Sequence, residues 1–315
     1  MKKSFFLFTV ALAFSLGSFG AFELAAQTQP SAGGIPAHAL VTVAARKGSN
    51  VPEVSRNDVM VFEGHDRDRV TDWVPAQGDR AGLDLFVLLD DGSAPSLGTQ
   101  LDDLRRFINS QPETTKVGVA YMQNGIAQIE QDLTSDHAQA AKAVRLPLGL
   151  SGVNASPYFS LSDLVKRWPE GSNRREVVMV SDGIDRYYDA GDLLDPYLAK
   201  AIEDAQRAGI IVYTIYAPGV GHFGHSLWRT YWGQIFLAQV SDQTGGESFY
   251  IGFNGPAVDF TPYLEDVTHH LGNQYFLTFL ARPPKKAGFQ QVRIMTEAPN
   301  VELTAPDRVY VPAGQ

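Results

Sequence analysis

The sequence predicts an α/β fold: a doubly wound, mostly parallel sheet with one antiparallel edge strand, flanked by N- and C-terminal β segments. Three observations predict it. Residues 83–90 (Leu-Asp-Leu-Phe-Val-Leu-Leu-Asp) and 176–181 (Glu-Val-Val-Met-Val-Ser) are almost unbroken apolar runs, as parallel strands covered on both faces require. Helical periodicity alternates with such runs between residues 82 and 272, the pattern of an open α/β sheet. Asn124-Gly125 separates the strand-like runs 116–122 and 126–131, a strong signal for a tight antiparallel hairpin.

Taken in order, residues 1–26 read as a signal peptide. Lys2 and Lys3 precede an apolar stretch over 5–16, and small residues follow. Cleavage after Ala26 fits, although Leu24 is a poor match to the small-x-small rule. Residues 27–37 are a linker by composition. The N-terminal β segment, 38–81, carries short alternating runs at 38–45, 58–63 and 69–74. Inside the α/β domain, Leu97, Leu101, Leu104 and Ile108 recur at helical spacing, with Ser96 as N-cap. Further helices follow at 135–144 and 160–168, the latter stopped by Pro169. After the 176–181 strand, Leu198, Ala199, Ile202 and Ala205 line a helix that ends before Gly209, and 210–217 is the next strand. Over 227–240, Trp228, Tyr231, Trp232, Ile235 and Phe236 form a stripe expected to face the core. Residues 273–315 return to strands at 274–280, 290–296, 301–303 and 308–311, and pairing of the two β segments into one small sandwich is the simplest arrangement.

Composition narrows function. The 315 residues carry a net charge of −9 with Lys and Arg scattered singly, which argues against nucleic acid or an anionic membrane as partner. There is no cysteine, so an exported chain of this kind has neither a disulfide framework nor a thiol nucleophile. No segment after the signal peptide is long and apolar enough to insert in a membrane.

The strand ends carry the chemistry. Asp90-Asp91-Gly92-Ser93-Ala94-Pro95-Ser96, Ser156-Pro157-Tyr158 and Ser181-Asp182-Gly183 converge on the rim where open α/β folds place their sites. Their order resembles the von Willebrand factor A (VWA) domain, over residues 83–272, and in particular its exported relatives common in acidobacterial genomes, which also carry flanking β segments. That family builds a metal-ion-dependent adhesion site from an Asp-x-Ser-x-Ser loop, a Thr from a later loop and an Asp after the fourth strand. The resemblance implies an adhesion-type protein-interaction module, with Asp90, Asp91, Ser93, Ser156 and Asp182 around Mg2+ or Mn2+ and an acidic side chain of a protein partner completing the coordination. Asp90 matches the first Asp, Asp182 the last, and Ser156 the Thr. Gly92 and Ala94 stand where both loop serines belong, and a shift of one residue gives Asp91 and Ser93 but puts Pro95 at the second serine. The site is degenerate in either register. A looped backbone presenting Ser93 and Ser96 is a third arrangement.

Two readings therefore stand open. In one, Mg2+ binds with waters replacing the lost hydroxyls. In the other, Asp90 and Asp182 cap turns and helices at a metal-free rim of an envelope scaffold. Asp185, Asp189, Asp192 and Asp195 read as a solvated acidic loop, since they lack calcium-loop spacing. Tyr187 and Tyr188 suit either a recognition surface or packing on the next helix. His222 and His225 have no third zinc ligand nearby and read as a surface loop. An enzyme is disfavoured. Leu-Leu-Asp-Asp-Gly-Ser resembles the start of a haloacid-dehalogenase-type phosphatase, but Leu89 occupies the nucleophile position. No nucleophile elbow, Walker loop or His-Glu-x-x-His is present.

Overall fold

The structure, a computed structural model, describes residues 34–150, 152, 155–188, 195–220, 227–250 and 259–313. The expected signal peptide, His222, His225, Asp189 and Asp192 lie outside these residues. In chain order the elements are β1 (Ile35–Ala45), β2 (Val59–Glu63), β3 (Asp66–Pro75), β4 (Leu83–Asp90), α1 (Leu101–Asn109), β5 (Thr115–Gln123), β6 (Ile126–Thr134), α2 (His137–Lys142), α3 (Pro157–Lys166) and β7 (Arg174–Ser181). There follow α4 (Pro196–Ala208), β8 (Ile210–Tyr216), α5 (Leu227–Thr244), β9 (Ser248–Phe249), α6 (Thr261–Gly272), β10 (Gln274–Ala281), β11 (Gly288–Gln291), β12 (Arg293–Thr296), β13 (Val301–Thr304) and β14 (Arg308–Val311).

The α/β sheet has the order β6-β5-β4-β7-β8-β9. Its pairs are parallel apart from β5–β6. Every residue of β4 is buried, because helices cover both faces. Leu85, Val87 and Leu89 pack with α1 and α6 residues such as Leu104 and Val267. Phe86 and Leu88 pack with Tyr158, Leu161, Ile202 and Phe236 on the other side. The chain order reverses between β4 and β7, so the crevice beyond their carboxyl ends is the topological switch point. The edge hairpin β5–β6 turns through Asn124 and Gly125 at φ 52° and 76°. Two consecutive left-handed residues are what a type I′ turn demands, and Asn-Gly supplies them at least cost.

The N- and C-terminal β segments pair with each other. One antiparallel sheet has the order β12-β2-β3-β10-β1-β13, and β11 and β14 form a two-stranded ribbon. Val41, Val43, Val61, Leu277, Phe279 and Val311 fill their shared core. The expected linker is too long, since β1 starts at Ile35 and already pairs there with Ala281. Pro36 lies in the part of β1 that lacks a second neighbour, where a sheet accommodates proline.

Three helix expectations need correction. Residues 95–99 form a 3-10 turn before α1, and α1 starts after Gln100, so exposed Ser96 caps nothing. Helix α3 begins three residues early, with Ser156 as its N-cap and Pro157 in its first turn. Helix α5 buries Gly233, Phe236, Leu237 and Val240, while Trp228 and Tyr231 are exposed. The cause is Gly233: a Cβ there would lie 2.3 Å from the Asp182 carbonyl oxygen. The helix touches the strand end through its backbone, and that contact sets its rotation about its axis.

Candidate functional site

The crevice is assembled by the ends of β4 and β7 and the N-terminus of α3. Asp90 is buried and bound on both oxygens, accepting from the Gly92 amide at 2.8 Å and the Ser181 hydroxyl at 2.7 Å. Burial, then the nearby Asp182 charge, pushes its carboxyl up to about 6 against the opposing effect of these hydrogen bonds and Arg186. Asp182 is 1% exposed. Its Oδ1 accepts from the Ile184 amide at 3.0 Å, and Arg186 grips both its oxygens, at 2.5 Å from Nη2 to Oδ2 and 3.3 Å from Nη1 to Oδ1. The Arg186 amide donates to the Ala155 carbonyl at 2.9 Å, tying this turn to the segment before α3. Burial works against the Arg186 charge, but Asp182, Asp90 and Asp185 together hold it above the ordinary arginine range.

Of the five residues implied as metal ligands, Asp90 and Ser156 line one cleft with Arg186, which holds Asp182, whereas Asp91 does not join them. Asp91 follows the last strand residue and turns the other way. It forms a fork with Arg145 at 2.7 and 3.1 Å and accepts from the Leu148 amide at 2.9 Å. Its carbonyl also receives the amides of Gly149 and Leu150. Arg145 in turn lies over the Tyr121 ring, 3.7 Å from its centroid. Ser156 gives its hydroxyl to Asp185 at 2.7 Å and caps α3 through the Phe159 amide at 3.4 Å. Ser93 is buried and its hydroxyl has no partner among the described residues.

The loop after β8 crosses over the first loop. Ala94 donates to the Pro218 carbonyl at 2.8 Å and Val220 to the Gly92 carbonyl at 2.9 Å, making a Ser93–Gly219 bridge. Gly219 sits so close to the acid pair that a Cβ there would lie 2.2 Å from Asp182 Oδ2 and 2.7 Å from Arg186 Nη2. A small cleft remains beside Asp90, lined by Met122, Asn124, Ser156, Ser160 and Arg186. As a donor set for Mg2+ or Mn2+ this arrangement does not fit. Hard cations need several free oxygens, whereas Asp182 is covered by Gly219 and held by a guanidinium, and Asp91 and Ser156 are engaged elsewhere.

The acidic loop is also different from a solvated one at its described ends. Asp185 and Asp195 are 7% and 3% exposed. Asp185 accepts the Tyr187 and Tyr188 amides, and Asp195 caps α4 through Tyr197 and Leu198. Tyr187 and Tyr188 fold onto Tyr197 in the first turn of α4, with Tyr187 also against Phe159.

Two residues that matter were missed in sequence. Arg186 stands four residues after Asp182, and its signal was a lone cation directly following a degenerate acidic site. The other is Arg145, which redirects Asp91.

No protein-family model and no curated protein matches this sequence. Solved structures do match in fold. The BatB protein of Bacteroides thetaiotaomicron aligns over 60% of this chain and 97% of its own, at 14% identity and TM-score 0.44. The VWA domain of SpRpn10 aligns over 58% and 94%, at 13% identity and TM-score 0.38. The vWF domain of the type V pili tip protein Mfa5 of Porphyromonas gingivalis aligns over 63% and 96%, at 11% identity and TM-score 0.40. The strand order and antiparallel edge hairpin of the α/β domain agree with the VWA-like fold that the resemblance implies. Likenesses this distant carry no argument about function.

Proposed function

We propose that this chain is an exported, non-enzymatic protein-interaction module that meets its partner through the strand-end rim of the VWA-like domain. The observation that carries the reading is the loop at residues 146–150. Leu146, Leu148 and Leu150 are 57%, 57% and 69% exposed, yet the loop backbone is held by the buried Asp91 carboxylate and carbonyl. Apolar side chains presented in water on a fixed backbone favour association, because burial of their surface is gained with little ordering cost. The partner is accordingly a protein offering an apolar segment. The acidic chain disfavours nucleic acid, and among the described residues no helix is long and apolar enough to cross a membrane.

Export is supported by the basic and apolar N-terminal segment, and it is what the resemblance to exported VWA-domain proteins implies. The antiparallel sheet with its ribbon serves as the small sandwich platform. The non-enzymatic reading is supported by the hydroxyls of the rim: Ser156 and Ser181 each donate to a carboxylate, and among the described residues no imidazole binds either as the activator of a serine nucleophile would. A partner carboxylate completing a metal shell is not part of this proposal, because the carboxylates of the donor set are engaged by Gly92, Ser181, Arg145 and Arg186.

A photocrosslinking side chain at position 148, introduced in the producing cell, should trap one discrete protein. The same group at exposed Asp72 on the antiparallel sheet should not trap it. Replacing Leu146, Leu148 and Leu150 together by Ser should abolish the adduct and leave stability within about 0.5 kcal/mol. Identical adducts from both positions, or an adduct that survives the triple replacement, would sink the reading.

A further inference from the structure

We propose that the Arg186 guanidinium is the resident cation of this rim: a charge tethered to the chain that stands where the VWA resemblance implies Mg2+ or Mn2+, so that the rim is assembled without a divalent metal.

Four observations support this independently of any partner. First, Arg186 binds Asp182 through two nitrogens onto two oxygens, the fork geometry in which a guanidinium matches a carboxylate better than an ammonium does. Second, the chain is shaped to deliver it. Asp182-Gly183-Ile184-Asp185-Arg186 doubles back through Gly183 at φ 68°, with the Ile184 amide on Asp182 and the Arg186 amide on Ala155. A Cβ at Gly183 would lie 2.2 Å from the Gly233 carbonyl oxygen, so both the backbone angle and the helix α5 contact hold this turn in place. Third, the backbone of Gly219 lies against the pair, where any side chain would strike Asp182 Oδ2 and Arg186 Nη2. An ion approaching Asp182 from that side would have to displace Gly219 as well as the guanidinium. Fourth, apart from the unpartnered Ser93 hydroxyl, the oxygens that would make up the rest of a coordination shell have other partners. Asp90 is bound by Gly92 and Ser181, Ser156 by Asp185, and Asp91 by Arg145.

The arrangement also explains the degenerate loop. Once a guanidinium neutralises the acids, serine hydroxyls at the positions of Gly92 and Ala94 have no metal to bind. Their place is taken by a tight backbone path, with Gly92 and Ala94 engaging the β8–α5 connection through main-chain hydrogen bonds. Asp90 and Asp182 need a positive charge between them, since two buried like charges oppose each other. Arg186 is the described cation that touches Asp182.

Thermal unfolding with and without millimolar Mg2+ or Mn2+ tests the assignment. The wild-type Tm should be indifferent to either ion and to EDTA. Arg186→Met, which removes the charge and keeps much of the side-chain length, should unfold at lower temperature. Mn2+ should then raise its Tm by about 3–8 °C, as an ion bound only to the native state does. Arg186→Met/Asp182→Asn, which removes both charges, should recover stability relative to the single variant and should not respond to Mn2+. If Arg186→Met does not fold, the wild type and the double variant still decide. A wild-type Tm raised by Mg2+ or Mn2+ and blunted by Asp182→Asn would overturn the proposal. So would an Arg186→Met protein as stable as wild type in the absence of metal.

Discussion

Gly219 shows how much of this rim depends on single side chains being absent. Alanine at this position would place a carbon 2.2 Å from a carboxylate oxygen that Arg186 already holds, and neither partner is free to move far in a buried pair. Gly219→Ala should therefore destabilise the protein by about 1–3 kcal/mol in urea unfolding. An unchanged midpoint would mean that the acid–guanidinium pair shifts easily. The opposite situation holds at Asp91, where a side chain is indispensable. Asp91→Ala leaves Arg145 without its fork and the Leu148 amide without its acceptor, at a cost of about 2–3 kcal/mol. Because the loop at 146–150 loses its side-chain anchor and keeps only the Asp91 carbonyl, limited proteolysis should cut there faster than in wild type. At this scale the sequence was legible in position but not in direction. Apolar runs ending in Asp90 and Asp182 place both acids on the rim, because a strand's end is set by its hydrophobic pattern. Whether Asp91 faces the same way as Asp90, and whether Arg186 returns to Asp182, depends on loop paths fixed by Tyr121, Gly183 and Gly219, residues far apart in the chain.

Among the elements, helix α5 separates what pattern reveals from what packing decides. Its aromatic residues repeat at helical spacing, so its existence and extent are legible. Its buried face is not, because Gly233 brings the helix backbone against the Asp182 carbonyl, and a glycine carries no weight in a hydrophobic stripe. The rotation leaves Trp228 70% exposed and Phe236 7% exposed. Phe236→Ala should cost about 3–5 kcal/mol, whereas Trp228→Ala should change stability by no more than about 0.5 kcal/mol. Equal losses at the two positions would show that the helix is set as the aromatic stripe alone suggests. The hairpin β5–β6 is the contrasting case. Asn124-Gly125 encodes its turn locally, through two consecutive left-handed residues. Ser156 lies between these extremes, since a serine before Pro157 is a good N-cap by local rules alone, yet a match to a family's metal ligand drew attention to its hydroxyl instead.

At the scale of the whole molecule, the two sheets are joined at the end opposite the rim by a buried polar cluster. Glu176 on β7 is fully buried and accepts from Gln274 at 3.1 Å, while the same Gln274 amide reaches Tyr213 at 3.3 Å and Thr42 on β1 at 3.4 Å. Arg174 lies 3.5 Å from Glu176 and donates to the carbonyls of Ala76 and Leu271. That the terminal strands pair was the simplest inference from their pattern. That they are welded to the α/β sheet through a carboxylate was not legible, because Glu176 opens an apolar run and reads as its solvated start. Burial pushes the Glu176 carboxyl from 4.5 up to about 7, against the lowering effects of Arg174, Gln274 and Tyr213. A carboxyl whose folded pKa is raised binds its proton more tightly in the native state, so its contribution to stability is full below about 4.5 and is lost as pH rises through about 7. Other groups titrate in the same range, Asp68 among them, so the informative quantity is the difference between wild type and Glu176→Gln, which stays neutral at every pH. That difference should move in favour of the variant by up to about 3 kcal/mol between pH 5 and pH 8. A difference that stays constant, or moves toward wild type, would mean that Arg174 holds Glu176 ionised throughout and that the joint between the sheets is an ion pair.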